Sequence, residues 1–492
     1  MSGSPDSQSP HPARLSSGHG VRVLSNFSSL AAARLLGALL EFIAQILVAR
    51  AWGPAAFGVV AFGRTTANYF GIAADPGLSM VGMRAVARRD HSVNEIRQFA
   101  RARALTTAVS ALLMTCFAIR LAPAQTRPVV LAYLTLVLPF GLSFEWLFKG
   151  LERMWLVAVV RVVRSFVLLG LTVVVVSVTR STILYALGEG LSWCLSSVLL
   201  YLYARRYIDA HEVAATAPRL TSLIMTSAPI GLAWLLTTAY QLGAVVLLTF
   251  ISGPEQAGLY AAAQRPVIFL HGFGVLLGES LVATFVRAAD AGTRGDLTLT
   301  TTVITLAVLL PVSISMLVGA GSVATLLFGP EFLLAAPVLK LLLWQSLFLL
   351  LNIPFYVTLV ARGRERAYLR AIAIGAVATL ALDIVVIPRF GAVGAACVAV
   401  VVELAVLTLV ILPARAHLAL RGVRSSVTAA FTVSAVSLAL ALLVPGPALG
   451  RLSLSLLAGW LTGAAMLRTP LRSVLSGPSP AGPGAAGEPE ML

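Results

Sequence analysis

The sequence predicts an all-α, polytopic membrane protein of about fourteen transmembrane helices, built as two pseudo-symmetric six-helix lobes with two further C-terminal helices. Three observations carry this. Of 492 residues 58% are hydrophobic and only 11% charged, too few polar groups to cover a water-soluble globule of this size. Apolar runs of about twenty residues, the length that crosses a bilayer, recur along the whole chain. A segment near residue 52 also repeats 200 residues farther on.

The first 26 residues are rich in Ser, Pro, Gly and His and read as a disordered tail. Spans then fall near 27–50, 57–75, 102–121, 128–148, 155–178 and 182–203, the six helices of an N-terminal lobe (27–203). A C-terminal lobe (222–414) takes the runs 222–251, 258–288, 297–320, 335–360, 367–388 and 392–414. Two more, 426–444 and 449–467, form the additional segment 426–467, and residues 470–492 read as a second tail. Ala49-Arg50-Ala51 mimics a signal-peptidase site, but the preceding run is too long for a signal peptide and carries Arg34 and Glu41, so the first helix is expected to stay uncleaved.

Charge sets the orientation. With the N-terminus inside, inner segments hold 24 basic residues and outer segments six, which predicts that both termini are cytoplasmic; the expected location is the inner (plasma) membrane. The net charge of +16 is scattered over short loops and forms no continuous basic face, so nucleic acid is not an expected partner. Cys116, Cys194 and Cys397 are odd in number and far apart, and support neither a disulfide framework nor a metal site. The sequence contains no nucleophile with a nearby His, no metal-ligand cluster and no phosphate-cradling Gly-rich loop; the expectation is a transporter without cofactor or catalytic residues.

In the repeat, WGPAAFGVVAF (52–62) lies over SGPEQAGLYAA (252–262), so that Gly53, Pro54 and Gly58 fall on Gly253, Pro254 and Gly258. Glu41 falls on Gln241, and Arg64 one residue short of Arg265. Six spans separate the copies. The halves therefore run in the same direction, related by an axis along the membrane normal, and would face each other across a cavity.

Intramembrane charge points to that cavity. Arg34, Glu41 and Gln45 share one helical face, and Arg64, Asn68 and Asp75 share another on the next span. Each ionisable group at mid-membrane costs roughly 2.5–3.5 kcal/mol on insertion scales, so these faces belong against a bundle interior or a wet cavity. Arg34, Arg64 and Arg265 are the candidates to bind an anionic substrate, since Arg replaces phosphate hydration with forked, charge-assisted hydrogen bonds; Glu41 and Asn68 are taken with them. Asp75, Gln241 and Glu279 are candidates for coupling or ion pairing. Two structural alternatives stand beside this reading: Arg34–Glu41 and Arg64–Asp75 salt bridges, or snorkelling to headgroups. Arg161 and Arg164 share a face of span five, and Glu145, Glu189, Asp383, Glu403 and His271 are further intramembrane polar groups without assigned roles. Pro229, Pro266, Pro311 and Pro354 predict helix bends.

Gly53-Pro54 with Gly58, Asp75-Pro76-Gly77-Leu78 before a basic loop, Glu145-Trp146-Leu147-Phe148 with Gly150, Leu327-Phe328-Gly329-Pro330-Glu331-Phe332, and the run Ile387–Ala396 together resemble the polysaccharide (O-antigen and exopolysaccharide, Wzx-type) flippase family of the multidrug/oligosaccharidyl-lipid/polysaccharide exporter superfamily. The resemblance touches most of residues 25–415. It implies a flippase that moves polyprenyl-pyrophosphate-linked oligosaccharide across the membrane by alternating access, with membrane lipid, a polysaccharide polymerase and glycosyltransferases as partners. Lipid II flippases of the superfamily likewise place arginines on helices one, two and eight around the cavity. A cation-coupled multidrug exporter and a lipid II flippase are the alternatives within the superfamily. Polysaccharide flippases often carry an acid near the position of Gln241, so the neutral amide here weakens proton coupling through span seven.

Overall fold

A computed structural model describes residues 17–88, 93–208, 219–287, 291–415, 432, 435, 436, 439, 450, 451 and 453–462. The elements are α1 (Ser17–Ala74), α2 (Leu78–Ala87), α3 (Val93–Arg120), α4 (Arg127–Ala132), α5 (Leu134–Leu142), α6 (Glu145–Gly150), α7 (Met154–Val178), α8 (Thr182–Ile208), α9 (Leu220–Ile251), α10 (Pro254–Arg287), α11 (Ala291–Phe328), a 3₁₀ turn (Pro330–Ala335), α12 (Ala336–Val360) and α13 (Glu365–Arg415). A short apolar helix, α14, spans Ser453–Thr462. Among the described residues there are helices and no strands, and nine helical stretches are long and apolar enough to cross a membrane.

Two of these stretches each hold two of the spans read from the sequence. In α1 the helix is interrupted at Gly53 (φ 76°), and in α13 at Gly391 (φ 54°), a left-handed conformation that only glycine adopts without strain. Pro54 follows Gly53 directly and opens the next helical segment, where its missing N–H costs nothing. Gly253 (φ 86°) and Pro254 repeat the same turn before α10. Large apolar side chains face outward along the bundle, among them Leu112, Val178 and Met225 at 64%, 74% and 76% exposure, as a lipid-facing surface requires.

The two copies of the repeat meet. A methyl group on Gly58 would collide with the Pro254 carbonyl oxygen and lie 2.8 Å from Gly258 N; one on Gly258 would collide with the Pro54 carbonyl oxygen and lie 2.9 Å from Gly58 N. This reciprocity is the signature of a local two-fold axis between the lobes. Phe57 against Phe332 (6.2 Å between centroids) and Phe62 against Phe250 (5.6 Å) close the packing around it. Gly53 abuts Glu331 and Gly391 abuts Gln256, whose side-chain oxygen accepts a hydrogen bond from Ala392 N–H at 3.1 Å, so all four turns share one end of the bundle.

The opposite end is tied differently. Helix α1 stops at Ala74, and Asp75 accepts hydrogen bonds from Ser79 N–H (2.9 Å) and the Ser79 hydroxyl, fixing the start of α2. Pro76 and Gly77 there press on α9 of the other lobe: a methyl on Gly231 would sit 2.7 Å from Pro76 Cα, and one on Gly77 2.8 Å from the Ser227 carbonyl oxygen.

Three expectations need correction. Residues 78–87, in the basic loop expected between spans 57–75 and 102–121, form a helix; Leu78 and Val86 bury one side, with Phe99, Trp146 and Phe148 in the same core, so packing stabilises the segment as a helix. Span 128–148 stands as the apolar stretch Arg127–Gly150, but its helix is divided into α4, α5 and α6, broken at Tyr133 and at extended Ser143. The break is capped by Arg103, which donates to the carbonyl oxygens of Phe140 (2.9 Å) and Ser143. Arg103, counted among the 24 inner basic residues, is therefore a buried structural cation. The thirteenth span (426–444) lies largely outside the described residues, so fourteen spans are an expectation that these helices do not count out.

Candidate functional site

A cavity of about 720 Å³ lies between α1, α9, α10, α12 and α13, within the range typical of small-molecule sites, about 300–1,000 Å³. Arg64, Thr65 and Asn68 reach it from α1; Gln241, Gln264 and Arg265 from α9 and α10; Asn352, Asp383 and Glu403 from α12 and α13. Arg64 and Arg265 stand eleven and twelve residues beyond the turns at Gly53 and Gly253. At about 1.5 Å per residue both guanidinium groups start about 17 Å from that end, mid-way through a hydrocarbon layer of about 30 Å. Tyr240 and Glu403, eleven and twelve residues from Ile251 and Gly391, occupy the same depth on the facing wall.

Behind Arg64 lies a charge network. Arg64 Nε is 3.1 Å from Glu189 Oε1 and Arg64 Nη2 3.4 Å from Glu41 Oε2. Arg164 Nη2 donates to Glu41 Oε1 and its guanidinium lies 4.1 Å from the centre of the Trp193 ring. The Tyr133 hydroxyl donates to Glu189 Oε2 at 2.8 Å. Two arginines and two glutamates balance, so this cluster adds no net charge to the cavity. Even so, Arg64 Nη1 is buried with no hydrogen-bond partner.

Arg265 differs. Among the described residues no carboxylate pairs with it, its Nε is buried and unpartnered, and its guanidinium lies 5.9 Å from the Phe57 ring centre. A half-buried cation in this state has its buried donor satisfied when an anion or water reaches it from the cavity.

Of the residues read from the sequence, the structure thus brings Arg64, Asn68, Gln241 and Arg265 to one cavity. Glu41 sits behind Arg64 as its partner. Asp75 is elsewhere: it pairs with Arg103 at 3.3 Å, so the alternative Arg64–Asp75 bridge is not formed. The side chains of Arg34 and Glu279 lie outside the described residues. Arg161 is taken by Glu145 through two hydrogen bonds (3.0 and 2.7 Å), with Lys149 3.1 Å from the same carboxylate. Tyr240, Asn352 and Gln345 were not foreseen, although Gln345 and Asn352 are both polar positions within the apolar run 335–360.

Residues 23–288 match the family model described as polysaccharide biosynthesis protein, more than half of the chain. The chain belongs to that family. A search of curated proteins gives no match to the sequence. Among solved structures, the lipid II flippase MurJ in its inward closed conformation superposes with a TM-score of 0.74 at 12% identity, covering 91% of this chain and 99% of that one. An inward-facing multidrug resistance MATE family transporter of the MOP superfamily gives 0.57 at 14% identity, covering 77% and 95%. A MOP superfamily transporter from Pyrococcus furiosus gives 0.53 at 13%, covering 82% and 96%. These identities establish the fold, that of flippases and transporters of the MOP superfamily. This member of the polysaccharide biosynthesis family is a multi-pass membrane protein, and its cavity is lined mostly by α9, α10, α12 and α13, with Arg64, Thr65 and Asn68 contributed by α1. Among the described residues no three His, Cys, Asp or Glu side chains converge as a metal site.

Proposed function

We propose that this protein flips a polyprenyl-pyrophosphate-linked oligosaccharide across the inner membrane for polysaccharide biosynthesis, by alternating access between the lobes 27–203 and 222–414. The observation that carries the reading is Arg265: a half-buried cation with a buried, unpartnered Nε and no carboxylate partner among the described residues, on the wall of a cavity it shares with Arg64. The pyrophosphate sits between these two guanidinium groups, whose free Nε and Nη1 donors it satisfies. Membership of the polysaccharide biosynthesis family supports the substrate class. Both termini are taken as cytoplasmic on the basic-residue count, with polymerase and glycosyltransferases as partners on either side of the step.

The lobes touch at two ends about 30 Å apart, the Gly58–Gly258 contact and the Pro76–Gly231 contact. Opening one while the other stays closed is the alternating-access step, and no covalent chemistry is required. Asp383 and Glu403 on the cavity wall favour one second reading, a cation-coupled exporter. Reconstituted protein separates the two: translocation of a labelled lipid-linked sugar supports the first, and efflux of a cationic dye without it supports the second.

A further inference from the structure

The unpaired polar atoms of the cavity are segregated by type. On the α1 and α10 side they are donors, Arg64 Nη1 and Arg265 Nε. On the α12 and α13 side they include acceptors: Asn352 Oδ1 and both carboxyl oxygens of Asp383, on residues 6% and 0% exposed. The orientation of Asn352 is dictated by its neighbours. Its amide nitrogen donates to Glu403 Oε1 at 2.9 Å, and the Tyr240 hydroxyl donates to Glu403 Oε2, so the carboxylate consumes the donors and leaves the Asn352 carbonyl oxygen free. Tyr356 and Tyr368, 4.4 Å apart between ring centres, add aromatic surface to the same wall.

We propose that this wall is the sugar subsite, and that it selects a neutral or amino sugar next to the pyrophosphate and rejects an acidic one. The inference rests on the lipid-pyrophosphate reading above. Buried acceptors gain only when a ligand brings donors, and sugar hydroxyls, an acetamido N–H or an ammonium do so. A uronic acid would instead set a carboxylate beside Asp383 and Glu403 in a water-poor site, where like charges repel and the acceptors stay unsatisfied. Tyrosine rings suit the flat C–H faces of a pyranose while their hydroxyls stay polar. Because Tyr240 and Glu403 lie at the depth of Arg64 and Arg265, pyrophosphate and first sugar would lie side by side across the cavity.

The test is binding to the full-length protein in lipid nanodiscs, using three short-chain prenyl pyrophosphates: bare, carrying N-acetylglucosamine, and carrying glucuronic acid. The N-acetylglucosamine compound is expected to bind about tenfold more tightly than the bare one, the glucuronic acid compound no more tightly, and Asn352→Leu or the isosteric Asp383→Asn to remove the gain without weakening the bare probe. If the bare probe does not bind, or binds equally to Arg265→Ala, the pyrophosphate reading itself fails. Arg265-dependent binding with no sugar gain, or with equal gain for glucuronic acid, overturns the sugar subsite alone. Sodium that raises the melting temperature through Asp383, with the sugar gain intact in Asp383→Asn, assigns those acceptors to a cation and also overturns it.

Discussion

Gly58 and Gly258 close on each other so tightly that each sits against the carbonyl oxygen of the proline four residues before the other, which no side chain would permit. This mutual contact joins the two lobes at one end of the cavity. It also explains why both copies of the repeat keep glycine at that position. Gly58→Ala and Gly258→Ala should each push the lobes apart there. Overpacking of this kind typically costs about 1–3 kcal/mol, and a thermal melt in detergent should show the loss, together with thiol labelling of a cavity cysteine at Gln241. An unchanged melt and unchanged labelling in both variants would show that the contact does not hold the lobes.

Gly231 gives the complementary perturbation, because its lack of a side chain lets Pro76 approach α9. Gly231→Val should open that end and expose the same cavity cysteine from the side on which α2 lies. With Gly58→Ala the accessibility should appear from the opposite side, so labelling of sealed vesicles of both orientations checks the pair. Labelling from one and the same side in both variants would argue against two gates.

The Arg64–Glu41–Arg164 network predicts non-additive stability. Glu41→Ala leaves the buried Arg164 without its carboxylate and the half-buried Arg64 with Glu189 alone, and breaking a fully buried pair, the upper bound here, typically costs about 3–5 kcal/mol. In the double variant Glu41→Ala with Arg164→Ala the loss should be smaller than the sum of the singles, as read from melting temperature and membrane yield. Simple additivity would mean that Arg164 and Glu41 are not coupled.

Asp75→Ala should behave differently from any cavity variant. It strips Arg103 of its carboxylate and α2 of its cap, so expression should fall. Transport per folded molecule should stay near that of the parent, and a transport loss at normal yield would place Asp75 in the substrate path after all.

The parts of the fold that were legible in the sequence are those set by composition and by glycine. Apolar length located most spans, and the Gly-Pro turns at 53 and 253 exposed the repeat because a left-handed turn and a close helix contact both demand glycine. Arg64 and Arg265 were legible because a cation in an apolar run needs a reason. Their different fates were not: Arg64 finds Glu41 on the preceding span and Glu189 four spans farther on, whereas Arg265 finds no acid among the described residues, and only packing decides which helices meet. The Tyr240–Glu403–Asn352 cluster was hidden for the same reason: Glu403 and Asn352 stand out as polar positions in apolar runs, but the members come from three helices and only packing brings them together. The α4–α5 and α5–α6 breaks were missed because hydrophobicity is continuous across them, and the capping Arg103 lies on another helix.

The measurement that bears most directly on the account is translocation of a fluorescent polyprenyl-pyrophosphate-linked sugar by purified protein in sealed proteoliposomes, wild type against Arg265→Ala and Arg265→Lys. Losing one charge-assisted contact worth about 1.5–3 kcal/mol should weaken substrate capture roughly 10- to 100-fold. The alanine variant should therefore be nearly inactive at a melting temperature close to that of the wild type, while lysine, which keeps the charge but not the fork, should retain part of the rate. Translocation by Arg265→Ala at the wild-type rate would contradict the claim that the unpaired arginine is the site of the pyrophosphate.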